Sequence, residues 1–180
     1  MLTELQKRKM TRFFVVWDFD GTGMIEPHNF DLLVGRLVEL LGIEPASTAH
    51  RELQARYDGM WAGLKPAISD PKRTGLVLSE WLAACGVLLE SPAFRAQVDS
   101  IVDFLWLTLD TDRDGHVSLD QYAKFAQAYL MPRRVAEDLF GRMGKPKHQP
   151  LSRAELKKLV EDFYWSDDPE APGNYLWGPI

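Results

Sequence analysis

Cysteine is nearly absent from this sequence. Cys85 stands alone among 180 residues, which excludes an intrachain disulfide, argues against a cysteine-based zinc site and suits a reducing, cytoplasmic setting. Basic charge is not in excess either. The 21 Lys and Arg face 26 Asp and Glu, a formal net charge of −5 that speaks against a nucleic-acid or anionic-membrane surface and suits cation binding. Long apolar runs are missing: the stretch 13–17 is far too short for a membrane span or a signal-peptide core, so the expectation is an unexported, non-membrane protein. Sustained apolar/polar alternation is missing as well, which leaves room only for very short strands. No Ser-His-Asp set, activated cysteine, phosphate loop or zinc motif is recognisable, so the expectation is a binding protein rather than an enzyme.

What is present is an ordinary globular balance, 46% hydrophobic and 26% charged, with apolar residues at helical spacing. The spacing predicts an all-α protein with helices over 3–17, 29–41, 48–64, 79–89, 92–109, 119–130, 132–143 and 153–165. Their ends carry recognisable punctuation. Ser91-Pro92 places a cap before a first-turn proline, Ser152-Arg153-Ala154-Glu155 reads as a capping box, and Gly42 stops the second helix.

Two stretches between helices share one short pattern. Asp18-Phe19-Asp20-Gly21-Thr22-Gly23-Met24-Ile25-Glu26 and Asp110-Thr111-Asp112-Arg113-Asp114-Gly115-His116-Val117-Ser118 each put oxygen-bearing side chains at positions 1, 3 and 5. Each adds a bend-forming Gly at 6, a backbone carbonyl at 7 and an apolar anchor at 8. This is the signature of a loop built to hold Ca²⁺. Position 12, which usually brings a bidentate Glu, is Asn29 in the first loop and Gln121 in the other; an amide offers one neutral oxygen, so the loops read as weakened or more Mg²⁺-like.

Two further loops stand where a repeat would require them, in eroded form. Placing Glu80 at position 12 of the second puts Ser69, Pro71 and Arg73 at 1, 3 and 5; placing Val77 at position 8 gives Asp70, Lys72 and Thr74 instead. Neither register makes a metal cage. In the fourth, Leu151 at 8 and Glu155 at 12 leave Gly144, Pro146 and His148 at 1, 3 and 5, with Lys145 and Lys147 between them to repel a cation. Loops of this kind work in pairs joined by a short antiparallel ladder. Residues 76–78 are therefore expected to face 24–26, and 150–152 to face 116–118.

Four units reading intact, eroded, intact, eroded, a Trp just before the first loop, and the tail Phe163-Tyr164-Trp165-Ser166-Asp167-Asp168-Pro169-Glu170-Ala171-Pro172-Gly173-Asn174-Tyr175-Leu176-Trp177-Gly178-Pro179 make the chain resemble the sarcoplasmic calcium-binding proteins. It resembles their bacterial, calerythrin-like relatives more closely still. The resemblance spans nearly the whole length. It implies a monomeric cytosolic protein of four EF-hands in two pairs, 1–90 and 91–165, with short two-stranded ladders; the tail, 166–180, carries Tyr175, Leu176, Trp177 and Ile180, too many apolar groups for a free end, and is expected to dock on the body. It further implies a calcium buffer or sensor, with a protein target in the sensor case. The ligands it carries over are Asp18, Asp20, Thr22, the Met24 carbonyl and Asn29, then Asp110, Asp112, Asp114, the His116 carbonyl and Gln121.

Other residues have plainer explanations. His28, His50, His116 and His148 are too scattered for shared ligation and read as surface residues. The abundant Trp and Phe read first as core, and Cys85 as a small buried hydrophobe. The alternative is a scaffold that has lost metal affinity and binds or transforms a small organic ligand in its aromatic interior.

Overall fold

A computed structural model describes residues 1–145 and 149–180. It contains helices α1 (Glu4–Trp17), α2 (Pro27–Leu40), α3 (Thr48–Leu64), α4 (Leu78–Glu90), α5 (Pro92–Arg95), α6 (Val98–Leu109), α7 (Leu119–Ala128), α8 (Arg133–Arg142) and α9 (Arg153–Trp165). Two 3-10 turns, Lys65–Ala67 and Pro172–Tyr175, and four two-residue strands complete the described residues: β1 (Met24–Ile25), β2 (Leu76–Val77), β3 (His116–Val117) and β4 (Leu151–Ser152). The all-α expectation with short ladders holds. One predicted helix does not: 92–109 breaks between α5 and α6, and the break lets Phe94 turn inward against Tyr164 and Trp165, at ring separations of 5.3 and 5.8 Å.

The ladders fix the loop registers. β1 and β2 are antiparallel with Ile25 opposite Leu76, and β3 and β4 with Val117 opposite Leu151. Residues at loop position 8 thus face each other across both pairs. Of the two registers open for the second loop, the pairing selects the one with Leu76 at position 8, Glu80 at 12, and Ser69, Pro71 and Arg73 at 1, 3 and 5. Gly75 is required beside this ladder, because a Cβ there would sit 2.9 Å from the Met24 side chain and 3.2 Å from the Ile25 carbonyl oxygen.

The core is built around α1. A Thr3–Gln6 capping box starts this helix, and Met10, Phe13, Phe14 and Trp17 bury one stripe of it at helical spacing. Trp17 meets Phe30 and Tyr57 from the first half of the chain and Tyr129 from the second. Residues 166–180 return to the same place. Trp177 stacks on Phe13 with ring centroids 4.7 Å apart, and its carbonyl accepts from Arg12 Nε at 3.2 Å. Lys9, fully buried, donates to the carbonyls of Asp162 and Ser166 at 3.0 and 2.7 Å. These bonds close the C-terminal end of α9, and burial lowers the Lys9 pKa to about 8.

Deleting the residues after Ser166 therefore strips the Phe13 stacking partner and uncovers apolar core. We expect a loss of roughly 3 kcal/mol or more, seen in a thermal melt as a fall of about 6 °C or more, together with increased binding of an apolar dye. An unchanged melting temperature would contradict the packing role assigned to Trp177.

Candidate metal centre and interior cavity

The third loop brings three acids together. Asp110, which closes α6, has its Oδ2 accepting from Gly115 N at 3.2 Å, while Oδ1 is buried with no partner. Asp114 accepts from His116 N at 2.8 Å. One carboxylate oxygen each from Asp110, Asp112 and Asp114 lies within 4.8 Å of the others, the one such cluster among the described residues. Carboxylates this close repel by roughly 1 kcal/mol per pair even in water. A hard cation between them would reverse the sign of that energy, and the orphaned Asp110 oxygen supplies the ligand a cation needs.

Gln121 holds its amide the other way round. Its Oε1 accepts from Ser118 N at 2.7 Å and from Ser118 Oγ at 3.0 Å, capping α7, while Nε2 donates to Asp112 Oδ1 at 3.0 Å. A donor rather than an oxygen thus faces the acids. Removing the amide from Asp112 is a precondition for a cation to take its place.

The first loop follows the same backbone path, with positive φ at Gly21 and Gly23 matching Arg113 and Gly115 of the third. Arg113 adopts this left-handed conformation at a cost of about 1 kcal/mol that glycine avoids. Asp18 accepts from Thr22 N and Gly23 N, both at 3.0 Å. Thr22 Oγ1 lies 3.4 Å from the Met24 carbonyl. Asp20 instead pairs with His28, which is the largest cause of its pKa falling to about 2. Asn29 is fully buried, with Oδ1 accepting from Glu26 N at 2.7 Å and Nδ2 unpaired. Glu26, at position 9, accepts from Thr74 of the neighbouring loop. The first loop therefore fits a cation less well than the third.

The even loops carry cations of their own. Arg73, at position 5 of the second loop, forms a two-pronged ion pair with Glu80, reaching Oε2 at 2.9 Å with Nη1 and Oε1 with Nη2. This pairing is the main reason the Glu80 pKa lies well below the usual carboxylate range. In the fourth loop Lys145 pairs with Glu155, holding its pKa at about 2. The sequence showed Lys145 as repellent to a metal and Arg73 only as part of a loop that makes no metal cage, and showed neither as the partner of a retained position-12 acid. Pro146, Lys147 and His148 lie outside the described residues.

Between the two halves lies a cavity of about 500 Å³. Its wall includes Phe13, Trp17, Trp81 and Trp177, all of which are also core residues, so core packing and cavity lining are the same aromatic cluster seen from two sides. Cys85 belongs to that wall; burial raises its pKa to about 12 and keeps it a thiol.

No protein-family model matches the chain. It is similar to calerythrin of Saccharopolyspora erythraea, 22% identical over 168 residues that make up 92% of this chain and 95% of that protein. Its fold is similar to a sarcoplasmic calcium-binding protein from amphioxus, with a TM-score of 0.71 at 19% identity covering all of both chains. It is also similar to a coelenterazine-binding protein from Renilla muelleri in its calcium-loaded apo form, with a TM-score of 0.72 at 22% identity over 99% of this chain and 100% of that one. With its loop-centred helix pairs, paired ladders and full-length likeness, the chain has the fold of the sarcoplasmic calcium-binding proteins and is similar along nearly its whole length to calerythrin.

Proposed function

We propose that the chain binds Ca²⁺, with Mg²⁺ competing, principally through Asp110, Asp112, Asp114 and the His116 carbonyl of the third loop. Asp18, Asp20, Thr22 and the Met24 carbonyl form a weaker second site. The observation that carries this reading is the convergence of three carboxylates with one buried, unpartnered Asp110 oxygen. Asn29 and Gln121 serve as helix caps first and as ligands only after their amides turn. The similarity to sarcoplasmic calcium-binding proteins and the calcium-loaded state of the Renilla muelleri protein support the choice of ion.

The reading favours a buffer over a sensor. Arg73 and Lys145 neutralise the even loops whatever the calcium level. With half of each pair fixed in this way, and Trp177 seated on Phe13, cation binding has little to open. A second, compatible reading is that the aromatic cavity binds a small organic molecule. It is supported by the cavity itself and by the coelenterazine-binding protein of the same fold.

Calorimetric titration of metal-stripped protein with Ca²⁺, with and without millimolar Mg²⁺, tests the first reading. Asp110→Ala should abolish the tighter phase, whereas Asp18→Ala should remove only the weaker one; full stoichiometry and affinity in Asp110→Ala would refute the assignment. Gln121→Glu supplies one oxygen for the Ser118 cap and another for the ion, so we expect about tenfold tighter binding or better, roughly 1.4 kcal/mol. No gain would mean that the third loop does not close around the ion. Saturating Ca²⁺ should leave apolar-dye fluorescence nearly unchanged, and a several-fold rise would make the protein a sensor.

A further inference from the structure

We propose that the cavity is entered beneath the C-terminal half of α3 and takes a neutral, flat aromatic molecule carrying hydrogen-bond acceptors. This deepens the small-molecule reading above and rests on it. α3 is 17 residues long, yet its buried residues are only Leu53 and Tyr57, both in its first ten positions. Beyond Tyr57 the helix keeps Trp61 against Phe30 of α2, at a ring separation of 5.9 Å, while Gly59, Met60, Gly63 and Leu64 border the cavity. Gly59 and Gly63, one turn apart on this half, line the cavity. Neither has a positive φ, and a Cβ added at either would meet nothing within 4 Å. Backbone conformation and protein packing therefore leave both glycines unexplained, although glycine inside a helix is less stable than alanine. Their effect is to leave open space at the cavity edge. The side chains beside this opening include Met60 and Leu88, apolar yet 36% and 41% exposed.

The lining sets the ligand class. Trp and Phe rings offer flat apolar faces. The charged residue among the lining is Arg56, which is exposed, with its guanidinium 5.8 Å from the Phe104 ring centroid. No counter-charge therefore waits inside for an ionised group, whose burial would be costly. Hydrogen-bond donors do wait there. Tyr129 is in the wall, with its buried hydroxyl 3.1 Å from that of Tyr57 behind it, and when Tyr57 donates in that bond the Tyr129 proton is free for an acceptor. Tyr164, also in the wall, makes no hydrogen bond through its hydroxyl among the described residues.

The test is fluorescence titration of the full chain with the neutral naphthyl ketone dye prodan and, separately, with an anionic naphthalene sulfonate of similar size. We expect saturable one-to-one binding of prodan, with tryptophan quenching, at least tenfold tighter than the sulfonate. Gly63→Ala should raise the melting temperature and retain binding. Gly63→Leu should weaken prodan binding tenfold or more at an unchanged or higher melting temperature. Ser100→Phe, placed on the α6 side of the cavity, should also weaken it and serves if Gly63→Leu does not fold. Absence of saturable prodan binding would overturn the small-molecule reading as a whole. Binding that ignores both bulky substitutions would overturn the α3 entrance alone, and equal affinity for the sulfonate would overturn the neutral class.

Discussion

Each loop gives its twelfth side chain two tasks: accepting from the backbone N–H at position 9 to start the next helix, and supplying oxygen to the positive charge held in the loop. The first task is met four times over, by Asn29 on Glu26, Glu80 on Val77, Gln121 on Ser118 and Glu155 on Ser152. A carboxylate has a second oxygen left for the second task; an amide does not. Glu80 and Glu155 spend theirs on Arg73 and Lys145, cations attached to the chain. Asn29 and Gln121 have only N–H left to offer, so neither can hold a cation in this way, and in the function proposed above the acids of the odd loops draw positive charge from solution. In that proposed function, chain-borne cations and solvent cations alternate along the molecule, and the ladders join one loop of each kind.

The fold was largely legible because its signals are local. Asp-rich loops with Gly at position 6 and an apolar residue at 8, together with Ser caps and helical spacing, are readable from short windows of sequence. The break between α5 and α6 was not, because it depends on Phe94 finding Tyr164 and Trp165 some seventy residues later. The register of the second loop was ambiguous for a related reason. Only the pairing of Ile25 with Leu76 decides it.

At the candidate metal centre, residue identities were readable but orientations were not. Which way the Gln121 amide points depends on competition between Ser118 and Asp112, and whether Arg73 repels a metal or replaces it depends on the reach of one side chain to Glu80. The cavity was hidden more deeply. A tryptophan that fills space and a tryptophan that borders it look alike in a sequence, and the difference arises only when α3, α4, α6 and the tail enclose a common volume.

The bonds that join α1 to α9 and the tail have a consequence for how the molecule is made. Gln6 and Lys9 bond to carbonyls 158, 153 and 157 residues away, and Phe13 waits for Trp177 to cover it. During synthesis from the N-terminus, the first helix has its local cap and can meet Phe30, Tyr57 and Trp81 early, but the face that Phe163 and Trp177 cover waits until the last elements emerge. The Phe13 face turned toward them must be sheltered or provisionally packed throughout that interval. Contacts this distant in sequence also slow spontaneous refolding, because the chain must close its longest loop before it gains its central packing.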